Sequence, residues 1–235
     1  MSENNSQPNG NPEHGYVLNF LPENDAVQHE FCGAHQIGGA VCPYCNKPLV
    51  RILSFNAIDP ALDLNQDEMP FVPLLYCWTC SIPYGEFSYK IKPDGSIEIV
   101  QIPERQPDSE FGLEGPYDGY SGIYPLRFVS LQPMNDDDDA KLALARVDAE
   151  YDHDGDLFEP RHQVGGSPFI YNPQTLTCPS CLRAMPIIAT ICNDATGNDP
   201  WKKEDSSTFA GNGGVQMVFQ LCRDCAIVSA YHSCD

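Results

Sequence analysis

Apolar and polar positions alternate along this chain in short runs, the period of strands rather than helices. Residues 48–55, 71–78 and 86–92 carry such runs. The last passes through Pro93-Asp94-Gly95-Ser96 into Ile97-Glu98-Ile99-Val100. Two alternating runs around Asp-Gly predict a β-hairpin. Residues 124–131 predict a further strand. One segment has a helical period: Ala140, Leu144, Val147 and Tyr151 share a face, Asn135 stands at the N-cap, and Asp136 to Asp139 fill the first turn. Carboxylates there meet the positive end of the helix. Asp152-His153-Asp154-Gly155-Asp156 closes it. That run has the acids of a calcium loop but lacks a Gly at the sixth position and a Glu at the twelfth in register, so an acidic turn is expected.

Residues 103–122, rich in Pro, Gly and acid, predict loop. With 21 prolines and 18 glycines in 235 residues, long helices are disfavoured. The pattern predicts a strand-rich α+β protein with a flexible tail over 1–28, an N-terminal half over 29–134 and a C-terminal half over 135–235, the halves packed as one compact unit.

The halves read as two copies of one unit. His35-Gln36-Ile37-Gly38-Gly39 returns as His162-Gln163-Val164-Gly165-Gly166. Each precedes a Cys-Pro-x-Cys pair, at Cys42 and Cys45 and at Cys178 and Cys181, and each half then reaches a second Cys-x-x-Cys after an apolar run, at Cys77 and Cys80 and at Cys222 and Cys225. Gly-Gly here predicts a turn with positive φ or a close backbone approach. His35 and His162 are expected to make structural hydrogen bonds.

Four Cys-x-x-Cys pairs change the chemistry in view. Two pairs supply four thiolates in a tetrahedron, which zinc accepts. The expected ligand sets are Cys42, Cys45, Cys77 and Cys80, and Cys178, Cys181, Cys222 and Cys225, one structural zinc ion each, in ribbon-like sites. The gaps are long, 31 residues between Cys45 and Cys77 and 40 between Cys181 and Cys222, which inserted strands would absorb. Pairing across the halves is the alternative; the repeated order favours pairing within each. Iron-sulfur ligation is the other metal reading, and redox dithiols the non-metal one. Cys32, Cys192 and Cys234 are left over and read as plain thiols.

Charge narrows the partners. Thirteen Lys and Arg face 33 Asp and Glu, a formal net charge of -20, with a pI near 4.4. Such a balance repels nucleic acid and anionic membrane and attracts basic proteins. The largest basic cluster is Trp201-Lys202-Lys203. Residues 1–15 lack the features of a signal peptide, and the apolar runs fall short of the ~20 residues of a membrane span. A soluble cytoplasmic protein is expected. Nothing in the sequence has the pattern of a Ser-His-Asp triad, H-E-x-x-H or a P-loop, so no enzyme is expected.

His162-Gln163-Val164-Gly165-Gly166-Ser167-Pro168 resembles the H-x-[LIV]-G-G-x-P entry into the second half of the YwqG-like family, which is related to the programmed-cell-death-protein-two ribosomal chaperones. Residues 213–219 are similar to that family's Gly-led strand near the C-terminus, and Cys234-Asp235 to a common family ending. The resemblance covers residues 31–235. It implies a pseudo-twofold, strand-rich α+β fold without a catalytic centre. It also implies a protein-binding role, either an immunity protein neutralising a basic toxin or a dedicated chaperone of a basic ribosomal protein. The two Cys sets depart from the simplest members. The acidic stretches 110–118 and 136–139 are candidate partner surfaces.

Overall fold

The structure, a computed structural model, describes residues 15–21, 28–64, 69–77, 80, 85–102, 124–138, 162–170, 172–192 and 216–233. Eleven strands follow in chain order: β1 Tyr16–Leu21, β2 His29–Phe31, β3 Val50–Asn56, β4 Phe71–Tyr76, β5 Phe87–Ile91, β6 Ile97–Gln101, β7 Arg127–Pro133, β8 Gln163–Val164, β9 Ile187–Ile191, β10 Gln216–Cys222 and β11 Ile227–Ser233. All join one antiparallel, curled sheet in the order β4-β3-β2-β7-β1-β8-β9-β10-β11-β5-β6.

This corrects the expectation of an α+β fold in two repeated halves. Strands dominate the described residues, and the halves are not separate units. β5 and β6, from the N-terminal half, lie beyond β11 at the far side of the C-terminal strands. Nor does a flexible tail run to residue 28. β1 is the fifth strand of the sheet, pairing with β7 over six residues and with β8, and it buries Val17 and Leu18. The predicted helix begins as expected: residues 136–138 are helical, and the Asn135 side-chain oxygen accepts the N–H groups of Asp137 and Asp138, both at 2.9 Å. Its continuation to Tyr151, the acidic turn at 152–156, the stretch 110–118, Trp201-Lys202-Lys203 and Cys234 lie outside the described residues.

The hairpin at Asp94-Gly95 forms as predicted between β5 and β6, with Gly95 at φ 79°. A larger closure surrounds it. Tyr89 on β5 is fully buried, donates its hydroxyl to Pro73 O at 2.7 Å and accepts the Leu75 N–H at 2.9 Å. Both partners are backbone groups of β4, the strand at the opposite end of the sheet order. Burial pushes the Tyr89 pKa well up, so the phenol stays neutral and serves as donor and acceptor together. Nearby, Ile97 N donates to Gly38 O at 2.8 Å, and a Cβ on Gly39, at φ 78°, would stand 2.1 Å from Ile97 O. Only glycine permits that approach.

The two stretches that carry the Cys pairs share a register. β2 pairs Glu30 with Ser54 and Phe31 with Leu53; β8 pairs Gln163 with Thr190 and Val164 with Ala189. Ser54 and Thr190 stand the same distance after Cys42 and Cys178. Ile52 on β3 and Ile188 on β9 are each skipped by a bulge in the ladder, and their carbonyls accept the N–H groups of Cys32 and Gly165, both at 2.9 Å. The residue matching His162 is therefore His29, not His35. Both are fully buried, and each accepts at Nδ1 a backbone N–H from the end of the neighbouring strand, Asn56 for His29 at 3.1 Å and Cys192 for His162 at 3.3 Å. The His29 Nε2–H then faces Asp59, 3.0 Å away. Cys32-Gly33, at φ 58° and 83°, makes the left-handed pair that Gly165-Gly166 makes at 64° and 59°.

Two expectations follow. Tyr89→Phe leaves the Pro73 carbonyl and the Leu75 N–H buried without partners, at a cost of about 1–3 kcal/mol, read as a lower urea midpoint. At residue 32 the backbone matters more than the volume. Cys32→Gly is expected to stay within about 1 kcal/mol of the parent, because glycine relieves the left-handed strain that offsets its lost burial, while the β-branched Cys32→Val loses about 2 kcal/mol in the same titration.

Candidate metal centres

Three of the four Cys pairs are tight turns held by backbone hydrogen bonds. In the first, Cys42 N donates to Lys47 O at 2.8 Å, Asn46 N to Cys42 O at 3.0 Å, and Val41 bridges to Pro48. In the third, Cys178 N donates to Arg183 O and Leu182 N to Cys178 O, both at 2.9 Å, and Thr177 bridges to Ala184. These are the same turn. The fourth follows β10 as a 3-10 turn, Arg223–Cys225. In these three turns the residue after the second cysteine is left-handed: Asn46 at φ 56°, Leu182 at 61° and Ala226 at 53°. None is glycine, so the strain of about 1 kcal/mol at each is held by the surrounding contacts. In the second, Cys77 directly follows β4 and Cys80 is buried; residues 78 and 79 lie outside the described residues.

The turns bring the predicted residues together within each half. The sulfurs of Cys42, Cys45, Cys77 and Cys80 lie within 4.8 Å of one another, as do those of Cys178, Cys181, Cys222 and Cys225. Across the pairs, Cys45 Sγ is 3.7 Å from Cys77 Sγ and Cys181 Sγ is 3.6 Å from Cys222 Sγ. A tetrahedron with metal–sulfur bonds of about 2.3 Å has edges of about 3.8 Å, whereas a disulfide needs about 2.05 Å. The spacing fits four thiolates around one ion, and each cluster could hold one.

The bare thiols compete for charge. Hydrogen bonds from the Cys77 and Cys80 thiols, with the Tyr44 and Cys45 N–H groups, hold Cys42 down at about 2. The same contact with Cys42 pushes Cys77 up to about 12 and Cys80 up as well. In the second cluster the Arg183 guanidinium brings Cys181 down to about 6, while burial pushes Cys222 and Cys225 up. Crowded sulfurs therefore resist full ionisation, and a divalent cation at the centre removes that resistance.

The surroundings of the clusters differ. Cys42, Cys77 and Cys80 belong to the main hydrophobic core, with Tyr44 and Cys45 packed against it. His35 braces the first turn, its Nε2 2.8 Å from Leu49 O. That hydrogen-bonding role is the one expected of His35. Cys178 and Cys222 form a small separate cluster with Met185 and Ile227, and only Cys181 and Cys225 pack on it. Arg183 ties the two turns of this cluster together, with Nε 3.5 Å from Cys181 Sγ and Nη2 on Asp224 Oδ2.

Polar side chains of β10 and β11 hold the approach to the second cluster. Alternation sends Met217, Phe219 and Leu221 into the main core and leaves Gln216, Val218 and Gln220 on the other face. Residues 169–170 and 172–176 cross that face. Gln216 Nε2 donates to Phe169 O at 3.0 Å, Ser233 Oγ accepts Asn172 N–H at 2.8 Å, and Tyr231 Oη accepts Gln174 N–H at 3.2 Å. Gln220 donates to Gln174 O at 2.5 Å and accepts Leu176 N–H at 3.1 Å. Sequence reasoning passed over these residues. Their signal was two glutamines two turns of the pleat apart in an otherwise apolar strand, Gln216-Met217-Val218-Phe219-Gln220-Leu221.

Cys32 and Cys192 are buried and join neither cluster. Among the described residues no helix is long and apolar enough to cross a membrane. No family model, curated protein or solved structure matches the chain, and these comparisons do not bear on the resemblance to the YwqG-like family.

Gln220→Leu keeps the volume but strands the Gln174 carbonyl and the Leu176 N–H. It is expected to cost about 1–3 kcal/mol and to loosen the second cluster selectively. Chelator titration should then remove one ion of two at a lower chelator concentration than in the parent; equal concentrations for both ions would count against the selective effect.

Proposed function

We propose that the chain is a non-catalytic binding protein for a basic protein partner, with a sheet held in shape by two structural zinc ions. The observation that carries the metal part is the pair of four-thiol clusters with tetrahedral sulfur spacing. Zinc suits four thiolates without a geometric preference of its own, and four protein ligands leave no open position for a substrate or water. When bound, each ion supplies charge neutralisation and cross-linking. The chain's own groups do the rest: the turns aim the sulfurs, the N–H groups of Tyr44 and Cys45 donate to Cys42, and Arg183 donates to Cys181.

Charge supports the partner part. The described residues hold seven Lys and Arg against ten Asp and Glu, a formal -3 out of the chain's -20, so -17 belongs to the remaining segments. The sheet is nearly neutral, and the acidity that would attract a basic partner stands in the segments between and outside its strands. An immunity protein neutralising a basic toxin is the form we favour on the resemblance, and a dedicated chaperone of a basic ribosomal protein is the second form.

Metal analysis of the purified chain is expected to find two zinc ions, and their removal should lower the melting temperature steeply, since such sites contribute on the order of 10 kcal/mol each. Iron in their place, or unchanged melting after verified removal, would contradict this. Affinity capture from the native host should recover one dominant basic protein near one to one, released by salt. A toxin supports the first form, a ribosomal protein the second, and turnover of a small substrate would count against both.

A further inference from the structure

The two clusters share the turn at Cys42 and Cys178 but have unequal surroundings. Three of the four cysteines in the first are buried, and the fourth packs on the main core. In the second, Cys181 and Cys225 are both partly open to solvent, and among the described residues the cluster packs with Met185 and Ile227. Its approach is held by polar contacts from Gln216, Gln220, Tyr231 and Ser233 beside a small apolar cluster of Ile170, Val218 and Tyr231 that is separate from the main core. Loss of an ion from the first cluster would disturb the main core; loss from the second need not. The partly open Cys181 also has its sulfur 3.6 Å from that of the buried Cys222, on the facing turn.

We propose that the second cluster is an oxidation site, at which a hydroperoxide joins Cys181 to Cys222 as a disulfide and releases that cluster's ion while the first cluster keeps its own. This rests on the metal reading above. The Cys181 sulfur attacks one peroxide oxygen; the O–O bond breaks, hydroxide leaves, and Cys181 becomes a sulfenic acid. The Cys222 thiolate then attacks that sulfur, the S–O bond breaks, and a second hydroxide leaves. Two electrons pass from the sulfurs to the peroxide, and two protons from solvent convert both hydroxides to water. Cys178 and Cys225 alone remain on the ion, which dissociates. Closing the sulfurs from 3.6 Å to the ~2.05 Å of a disulfide needs a shift of about 1.5 Å, within reach of rotation about side-chain bonds in exposed turns.

The test uses the full chain loaded with zinc, treated with a small excess of hydrogen peroxide in the presence of a zinc-sensitive dye. One equivalent of two should be released, peptide mapping should find Cys181 joined to Cys222, and the strand signal in circular dichroism should persist. Dithiothreitol should then restore uptake of one equivalent. In Cys222→Ser, which also lacks one of that ion's ligands, peptide mapping should find Cys181 oxidised to sulfinic acid rather than held in a disulfide, because no facing thiol captures the sulfenic acid. Release of both ions together, release from the first cluster first, or no release short of unfolding would overturn the proposal while leaving the metal sites in place. A chain that takes up no ion at all would overturn the metal reading and this inference with it.

Discussion

The ladder between β1 and β7 is the constraint on which the rest of the molecule hangs. It joins Tyr16–Leu21 to Arg127–Pro133 over six paired residues at the middle of the strand order. On one side of it lie β2, β3 and β4 with the first Cys cluster; on the other lie β8, β9, β10 and β11 with the second. Among the described residues no separate second layer holds the two blocks in relation. The backbone hydrogen bonds of β1 do so instead, with Tyr89 and the Gly38-Gly39 approach drawing the ends of the sheet together. Each of those contacts satisfies a backbone group that an open edge would leave unpaired.

Within that frame a Cys-x-x-Cys turn serves as a corner piece. The first cluster joins the turn before β3 to the end of β4, and the second joins the turn before β9 to the end of β10. Both therefore clamp a pair of antiparallel strands at the same end. The left-handed residues after Cys45, Cys181 and Cys225 are local costs that the surrounding turn contacts offset. Cys80 belongs to the main core, whereas Cys181 is partly open and lies beside Arg183. An ion held at each site would therefore be coupled to the fold differently, through the main core at the first and mainly through its own turns at the second.

The strands around the first cluster and the Asp-Gly hairpin were legible because alternation and turn chemistry are local signals. The eight clustered cysteines were legible because the spacing within each pair is local too. Three features escaped for physical reasons. β1 is one short run, Tyr16-Val17-Leu18-Asn19-Phe20-Leu21, set among polar residues, and its place in the sheet depends on partners more than a hundred residues away. The interleaving of β5 and β6 beyond β11 is likewise long-range. The His-Gln-x-Gly-Gly match was misleading in a specific way. The backbone asks for a buried histidine, two strand residues and two left-handed residues, and His29-Glu30-Phe31-Cys32-Gly33 meets it with a cysteine where glycine is the expected choice. Letter identity pointed to His35; hydrogen bonding and register point to His29.

Charge shows the same separation between local pattern and placement. The total of -20 suggested an acidic molecule in general. Laid on the structure, the described strands and turns come to -3. A sheet this closely paired gains from near neutrality, since like charges on neighbouring strands would oppose one another across short cross-strand distances. The remaining -17 lies in sequence outside the described residues. On the function proposed above, a basic partner would be drawn mainly to that part of the chain, so attraction and sheet pairing would draw on different residues.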